Sequence, residues 1–274
     1  MGNINMDYIA QGIYKYYEDN NEDWKRDHLG GSLIGHECQR AIWLSFRWAI
    51  KPEFSGRILR LFQTGQREEE RIVYNLQSIG LEIYDKDPDT WKQIRVKLNE
   101  HCGGSIDAIG RGFKEAKDKW HILEFKTHND KSFKDLLKNG VKVSKPQHYA
   151  QMTFYTGLMQ KERAYYIAVN KNTDEIYSER IKLDNKFFKQ LCLKADAIID
   201  SKTLPVGISD NPEFYKCKWC DYYKFCHGSK PVEKNCRTCK YSSPLPQGGW
   251  GCEIIGLLTP EKQREGCSKW EVVL

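Results

Sequence analysis

GSIDAIGRGFKEAKDKWHILEFKT, residues 104–127, carries two apolar runs joined by a charged, glycine-bearing turn. That pattern predicts two antiparallel strands paired through KEAKDK. Side chains alternate along a strand, so Ile122, Glu124 and Lys126 share one face of WHILEFKT and Leu123 and Phe125 the other. An isolated Glu-x-Lys is most often a surface ion pair. Here Asp107 sits between Ile106 and Ala108, a setting poorly suited to an unpaired charge, and the hairpin lets Asp107 and Glu124 meet. Two adjoining carboxylates repel unless a proton or a cation lies between them, and hard Mg2+ or Mn2+ prefers such oxygen ligands.

Upstream, RILRLFQTGQREEERIVYNLQSIG (57–80) has helical periodicity. Ile58, Leu61, Phe62, Gly65, Ile72, Val73 and Leu76 form one apolar stripe with Glu69 near its centre, whose bland reading is pairing with a basic side chain. The segment up to about Trp48 is expected to be helical, with Ser32 as a cap and Cys38 inside the helix of LIGHECQRAIWLSFRW. The block from about Gln93 to Thr127 is expected to be strand-rich. Downstream, Pro146 opens a helix over PQHYAQMTFYTGLMQK. RAYYIAVN and EIYSERIKL flank KNTD as a hairpin, and FFKQLCLKADAIID is predicted helical. The order is mixed α+β. Beyond Pro205 the regular pattern gives way to cysteine, proline and glycine.

The 274 residues suffice for one large domain with a small appendage. A formal charge of +6, from 43 Lys+Arg against 37 Asp+Glu, is compatible with a polyanionic partner or with a merely solvated surface. MGNINMDYIAQGIYKYYEDN lacks the apolar core of a leader, and no apolar run reaches membrane-spanning length, so a cytoplasmic protein is expected. In a reducing compartment, ten cysteines with C-x2-C spacings hold metal more often than disulfides. Cys102 and Cys192 stand alone and are expected to pack in the core.

CKWCDYYKFC (217–226) places Cys217, Cys220 and Cys226 on tight turns that can serve one centre. Spacing does not separate Zn2+ from an iron–sulfur cluster, since both accept four thiolates. His227 and Cys38 compete as the fourth ligand. A second set, Cys236, Cys239, Cys252 and Cys267, lies in a short tail that needs a staple in place of a core. It is expected to be a zinc-ribbon-like site, with a second iron–sulfur site or free thiols as its alternatives.

Four motifs in order, Gly65 with Glu69, Asp107 in GSIDAIG, Glu124 and Lys126 in LEFKT, and Gln151 with Tyr155 in QMTFY, resemble the PD-(D/E)XK nucleases. The resemblance is to the RecB-like exonuclease branch, which includes CRISPR-adaptation and phage recombination nucleases. Many members carry His where this chain has Glu69, whereas lambda-type phage exonucleases carry Glu, and a nitrogen ligand would favour Mn2+. The resemblance implies a restriction-endonuclease-like mixed central sheet flanked by helices, with a small cysteine-rich C-terminal metal-binding module. It implies that Glu69, Asp107 and Glu124 hold Mg2+ or Mn2+, that Lys126 orients water or stabilises phosphate charge, and that Gln151 and Tyr155 contact DNA or brace the ligands. A subset of the branch holds a [4Fe–4S] cluster through one N-terminal and three C-terminal cysteines, which implies Cys38, Cys217, Cys220 and Cys226 here. HECQRAIWL resembles that N-terminal site.

The expected divisions are an N-terminal helical region (1–55), a nuclease core (56–205), an iron–sulfur segment packing back on the N-terminal region (206–230) and the zinc-ribbon-like tail (231–274). The expected function is metal-dependent hydrolysis of DNA, as an exonuclease on single-stranded or duplex ends in recombination, repair or phage DNA processing, with self-association open. The rival is a non-catalytic DNA-binding protein that presents Lys218, Trp219, Tyr222, Tyr223 and Lys224 to phosphates and bases.

Overall fold

A computed structural model describes residues 8–21 and 25–273. The expectations for residues 1–7, 22–24 and 274, including the first residues of the helical and leader readings, lie outside the described residues. The described residues begin with helix α1 (Tyr8–Asp19), followed by strand β1 (Leu29–Gly30), a short turn of 3-10 helix, and helices α2 (Gln39–Phe46) and α3 (Gly56–Ser78). Strands β2 (Glu82–Tyr84), β3 (Arg95–Asn99), β4 (Cys102–Ser105), β5 (Ala108–Arg111) and β6 (His121–His128) follow. Next come α4 (Asp130–Ser144), α5 (Pro146–Leu158), β7 (Arg163–Asn170), β8 (Ile176–Lys182) and α6 (Asn185–Asp200). The remainder holds α7 (Tyr215–Lys218), α8 (Tyr223–Cys226), β9 (Ser242–Pro244), β10 (Trp250–Cys252), β11 (Gly256–Leu258) and α9 (Pro260–Arg264).

The fold is mixed α+β. Its main sheet has five strands in the order β2-β5-β6-β7-β8, with β6 and β7 parallel and the other pairs antiparallel. A parallel pair needs a crossover, and α4 and α5 supply it. Local chemistry sets their ends: Asn129 accepts from the Ser132 N–H at 2.8 Å, Gly140 (φ 69) breaks α4, and Pro146 opens α5. Residues 149–156 are all buried, because α5 runs through the interior.

Each face of the sheet has its own core. Leu123, Phe125, Ile167 and Val169 pack with Ile72 and Val73 of α3. Ile122, Ala164, Tyr166 and Ala168 face the larger core, which contains α2, α5 and α6. Cys236, Trp250, Leu258 and Val273 belong to this same core, so the tail is packed into it. Two fully buried arginines tie the tail to α2. Arg47 donates to the carbonyls of Arg237 (2.9 Å) and Ser201 (3.1 Å), and its guanidinium lies 4.8 Å from the Trp43 ring centre. Arg237 donates to the carbonyls of Asp27 (3.1 Å) and Phe46 (3.3 Å) and to Gln263, and stacks 3.7 Å from the Trp48 ring centre. Carbonyl dipoles and aromatic faces replace the water these cations lose. No helix among the described residues is long and apolar enough to cross a membrane.

Three sequence expectations need correction. GSIDAIG is two strands: β4 pairs with β1 and β3 in a separate three-stranded sheet, β5 pairs with β6, and the chain changes sheets at Ile106 and Asp107. Cys38 is the residue before α2, in extended conformation (φ −85, ψ 109), and Ser32 lies in the 3-10 turn without capping a helix. The apolar stripe of α3 is buried only in its C-terminal half, since Leu61 and Phe62 are exposed. The N-terminal half projects beyond the sheet and pairs with α1, where Tyr17 bonds Gln63 at 2.6 Å and Glu18 accepts the Gly56 N–H at 2.6 Å.

Candidate active site

The change of sheet at Asp107 aims its carboxylate at β6, where Oδ2 accepts the Phe125 N–H at 2.7 Å. The next residue along, Ala108, is already paired with Leu123. Glu124 is completely buried, and its Oε2 accepts no hydrogen bond. Lys126, two residues on and therefore on the same face, places its ammonium against Glu124 Oε1 and 3.6 Å from Asp107 Oδ2, and donates to the Phe125 carbonyl at 2.9 Å. The structure thus brings Asp107, Glu124 and Lys126 together.

Burial, and then the Asp107 charge, push the Glu124 carboxyl well above the usual range. Burial opposes the charge of Lys126, but Glu124, Asp107 and Glu69 outweigh it and raise the ammonium on balance. Glu69 joins from α3, at the point where that helix meets the sheet. Burial and then Asp107 push its carboxyl up to about 7. Glu68, displaced around the helix, pairs with Arg71 at 3.3 Å.

Helix α5 adds Gln151 and Tyr155, both buried and one turn apart. The Tyr155 ring fits only because Gly31 and Gly104 lack side chains: a Cβ on either would collide with it. Burial, then Glu124 and Asp107, raise its hydroxyl pKa, so Tyr155 is a neutral donor beside the carboxylates.

Sequence reasoning missed three neighbours. Tyr166, which pairs with Glu124 across β6 and β7, has its hydroxyl 2.7 Å from His128 Nε2 and 2.8 Å from His148 Nδ1. Burial, aided by nearby lysines, lowers His128 to about 4 and His148 to about 3, so both imidazoles are neutral. The signal was present in the spacing. His128 continues the face of residues 122, 124 and 126, and His148 lies one turn before Gln151.

The cysteines converge in two places. Cys38, Cys217, Cys220 and Cys226, with His227, line one cavity of about 460 Å³. Burial, with the neighbouring Cys38 and Cys226 sulfurs as further causes, raises the thiols of Cys217 and Cys220. The Lys216–Glu37 ion pair, at 2.6 Å, joins the two segments beside them. Cys236, Cys239, Cys252 and Cys267 line a second cavity of about 190 Å³. Burial, then the other three sulfurs, push Cys236 up to about 11. Cys102 is buried close to Cys192, and neither lines either cavity.

Among the described residues, no group of three or more His, Cys, Asp or Glu is arranged to hold a metal ion as it stands. At the carboxylates the reason is visible. The Lys126 ammonium is itself the cation between Asp107 and Glu124. The unpartnered Oε2 of buried Glu124 suits a hard cation, and each cysteine set offers four thiols to one cavity, so the donor chemistry fits oxygen-bound and thiolate-bound metal respectively.

No protein-family model and no curated protein matches the chain. Among solved structures, it is similar to SSO0001 (13% identity, 81% of this chain and 98% of that one, TM-score 0.47). It is also similar to the alkaline exonuclease LHK-Exo of Laribacter hongkongensis (13% identity, 67% and 90%, TM-score 0.47). A phage-related exonuclease from Haemophilus somnus is similar at 17% identity over 50% and 68% of the two chains, with a TM-score of 0.37.

Proposed function

We propose that the chain is a divalent-metal-dependent deoxyribonuclease that hydrolyses phosphodiester bonds, working as an exonuclease on DNA ends. One observation carries this reading: a fully buried Glu124 whose Oε1 meets only the Lys126 ammonium and whose Oε2 has no partner, with Asp107 beside the same ammonium. Burying a carboxylate with one oxygen unpartnered costs on the order of several kcal/mol, and a fold retains it where it has chemical use. A pure DNA binder has no use for it, since acidic side chains repel phosphate.

Glu69, Asp107 and Glu124 would hold Mg2+ or Mn2+. A divalent ion there supplies polarisation of the scissile phosphate and a lower pKa for the attacking water. Lys126 keeps its positive charge and neutralises charge developing on the phosphate. Tyr155 offers a neutral hydroxyl from the far side, held by its glycine seat. Gln151, one turn earlier on α5, faces the same way and orients the strand or a ligand carboxylate.

Cys38, Cys217, Cys220 and Cys226 would hold a [4Fe–4S] cluster, and Cys236, Cys239, Cys252 and Cys267 a zinc ion. What supports each is the convergence of four thiols on one cavity. Metal analysis of anaerobically purified protein tests the split, with about four Fe and one Zn per chain expected.

The activity test is one assay of end-labelled linear and closed-circular DNA with Mg2+ or Mn2+. Linear DNA should be degraded and circles spared, and Lys126→Ala should abolish the reaction. Cleavage of circles would replace the exonuclease assignment with an endonuclease. No cleavage of either form would leave the protein a DNA binder.

A further inference from the structure

Tyr166, His128 and His148 form a polar chain beside the carboxylates, and no step of the proposed hydrolysis uses them. Tyr166 stands opposite Glu124 in the register of β6 and β7, so the two side chains are neighbours on one face of the sheet. His128 lies further along that face of β6, and between the two levels stand Lys126 and, opposite it, the short Ala168. The small side chain leaves the space across which Tyr166 and His128 lean towards each other, until the hydroxyl is 2.7 Å from His128 Nε2. From α5, His148 Nδ1 meets the same hydroxyl at 2.8 Å. His128 Nδ1 is in turn 3.3 Å from Ser132 Oγ, in the first turn of α4.

A phenol carries one proton, so it donates to one imidazole and accepts from the other, and both bonds are made without net charge. Burial, then Lys145 and Lys126 for His128 and Lys126 for His148, keep both rings neutral. That neutrality matters, because an imidazolium here would be a further cation for Glu124 to pair with, in competition with a metal. A Phe among apolar neighbours would fill the fully buried Tyr166 position at lower cost than this polar chain. What the chain adds is direction. It ties α5, which carries Gln151 and Tyr155, to β6, which carries Glu124 and Lys126, through a residue of β7 beside Glu124. Apolar packing between the same elements is non-directional and sets their spacing less sharply.

We propose that Tyr166 is a positioning residue, held by His128 and His148, that fixes α5 against β6 and so sets where Glu124 stands relative to Gln151 and Tyr155. The inference rests on the nuclease reading and deepens it, by naming residues that act on the site through Glu124 rather than on DNA.

The test measures Mn2+ binding to the full chain, from the EPR signal of free Mn2+, beside kcat and KM on linear duplex DNA. Tyr166→Phe should weaken Mn2+ binding by about 10-fold and lower kcat by a similar factor. KM for DNA should hold, since no group that would meet DNA is removed. His148→Leu breaks the same chain from α5 and should match Tyr166→Phe. His148→Asn, whose amide can stand where Nδ1 stands, should recover most of the loss. A lower Tm with Mn2+ affinity and kcat unchanged in Tyr166→Phe and His148→Leu would overturn the proposal and leave a merely structural network. So would His148→Asn behaving no better than His148→Leu, a comparison that decides the matter if Tyr166→Phe does not fold. The two readings fail separately. Mn2+ binding that depends on Tyr166 in a protein that cuts no DNA loses only the nuclease, and cleavage that ignores all three substitutions loses only the positioning role.

Discussion

Glu124 concentrates the energetic tension of the molecule in one side chain. Replacing it by Gln removes a buried charge while keeping the shape. Glu124→Gln should therefore lose cleavage by at least about 100-fold, as removal of an essential electrostatic group does, and melt no lower than the unsubstituted protein. A substantial fall in Tm would show that the carboxylate is a structural partner of Lys126. Glu69 offers a pH test. Its carboxyl is raised to about 7 by burial and Asp107, above the value of about 4.3 expected in the unfolded chain. The folded state then binds the extra proton between those values, so this group's contribution falls as pH rises from about 4.5 to 7. In chelator, Glu69→Gln should gain Tm over the unsubstituted protein at pH 8 and lose most of that gain near pH 5. A gain independent of pH would refute this account. The identity of these residues was legible in the sequence because alternation and helical spacing fix which side chains share a face. Lys126 acting as the cation between the carboxylates was not legible, because it depends on the rotamer of a long side chain.

The junction between β4 and β5 shows what pattern reading misses at the level of elements. GSIDAIG reads as one strand, yet the chain leaves one sheet for another inside it. Asp107 at that break both faces Lys126 and accepts the Phe125 N–H. Asp107→Asn keeps the acceptor and should fold normally without activity, whereas Asp107→Ala should cost about 1.5–3 kcal/mol as well, measured by denaturant unfolding. Equal stability of the two would mean that the hydrogen bond contributes nothing. Tyr155 and the glycines beneath it make a second case. Gly104→Ala should displace the ring and destabilise, and Tyr155→Phe, which removes the atom nearest the new methyl, should recover part of the loss. Sequence periodicity located α5 and its Gln-x-x-x-Tyr but gave no view of the glycine seat, since Gly31 and Gly104 are far apart in the chain. Likewise Leu61 and Phe62 kept the helical period of the stripe, but where a helix runs past the edge of its sheet is a tertiary fact.

At the scale of the whole molecule, the N-terminal quarter and the tail are held as one body by the Arg47 and Arg237 stacks. Arg237→Lys keeps the charge but cannot reach several acceptors at once, and should cost about 3 kcal/mol, seen as a drop of several degrees in Tm. Cys38→Ser should remove the iron and lower the melting of the entire fold, because the cluster would join segments nearly 180 residues apart. Iron content unchanged in that variant would return the fourth position to His227, which lines the same cavity. The two C-x2-C pairs marked candidate metal sites from spacing alone. Their partition into two cavities depended on which segments the fold brings back to α2.

Because Arg237, Trp250 and Leu258 complete the core around α2, the order of synthesis acquires a meaning. While the segment from Arg237 onward is still inside the ribosome, Trp43, Phe46 and Trp48 have no cover on that side. Contacts between positions so distant in sequence form late and slowly. A chain broken off before Arg237 would therefore present a sticky aromatic face to chaperones and proteases.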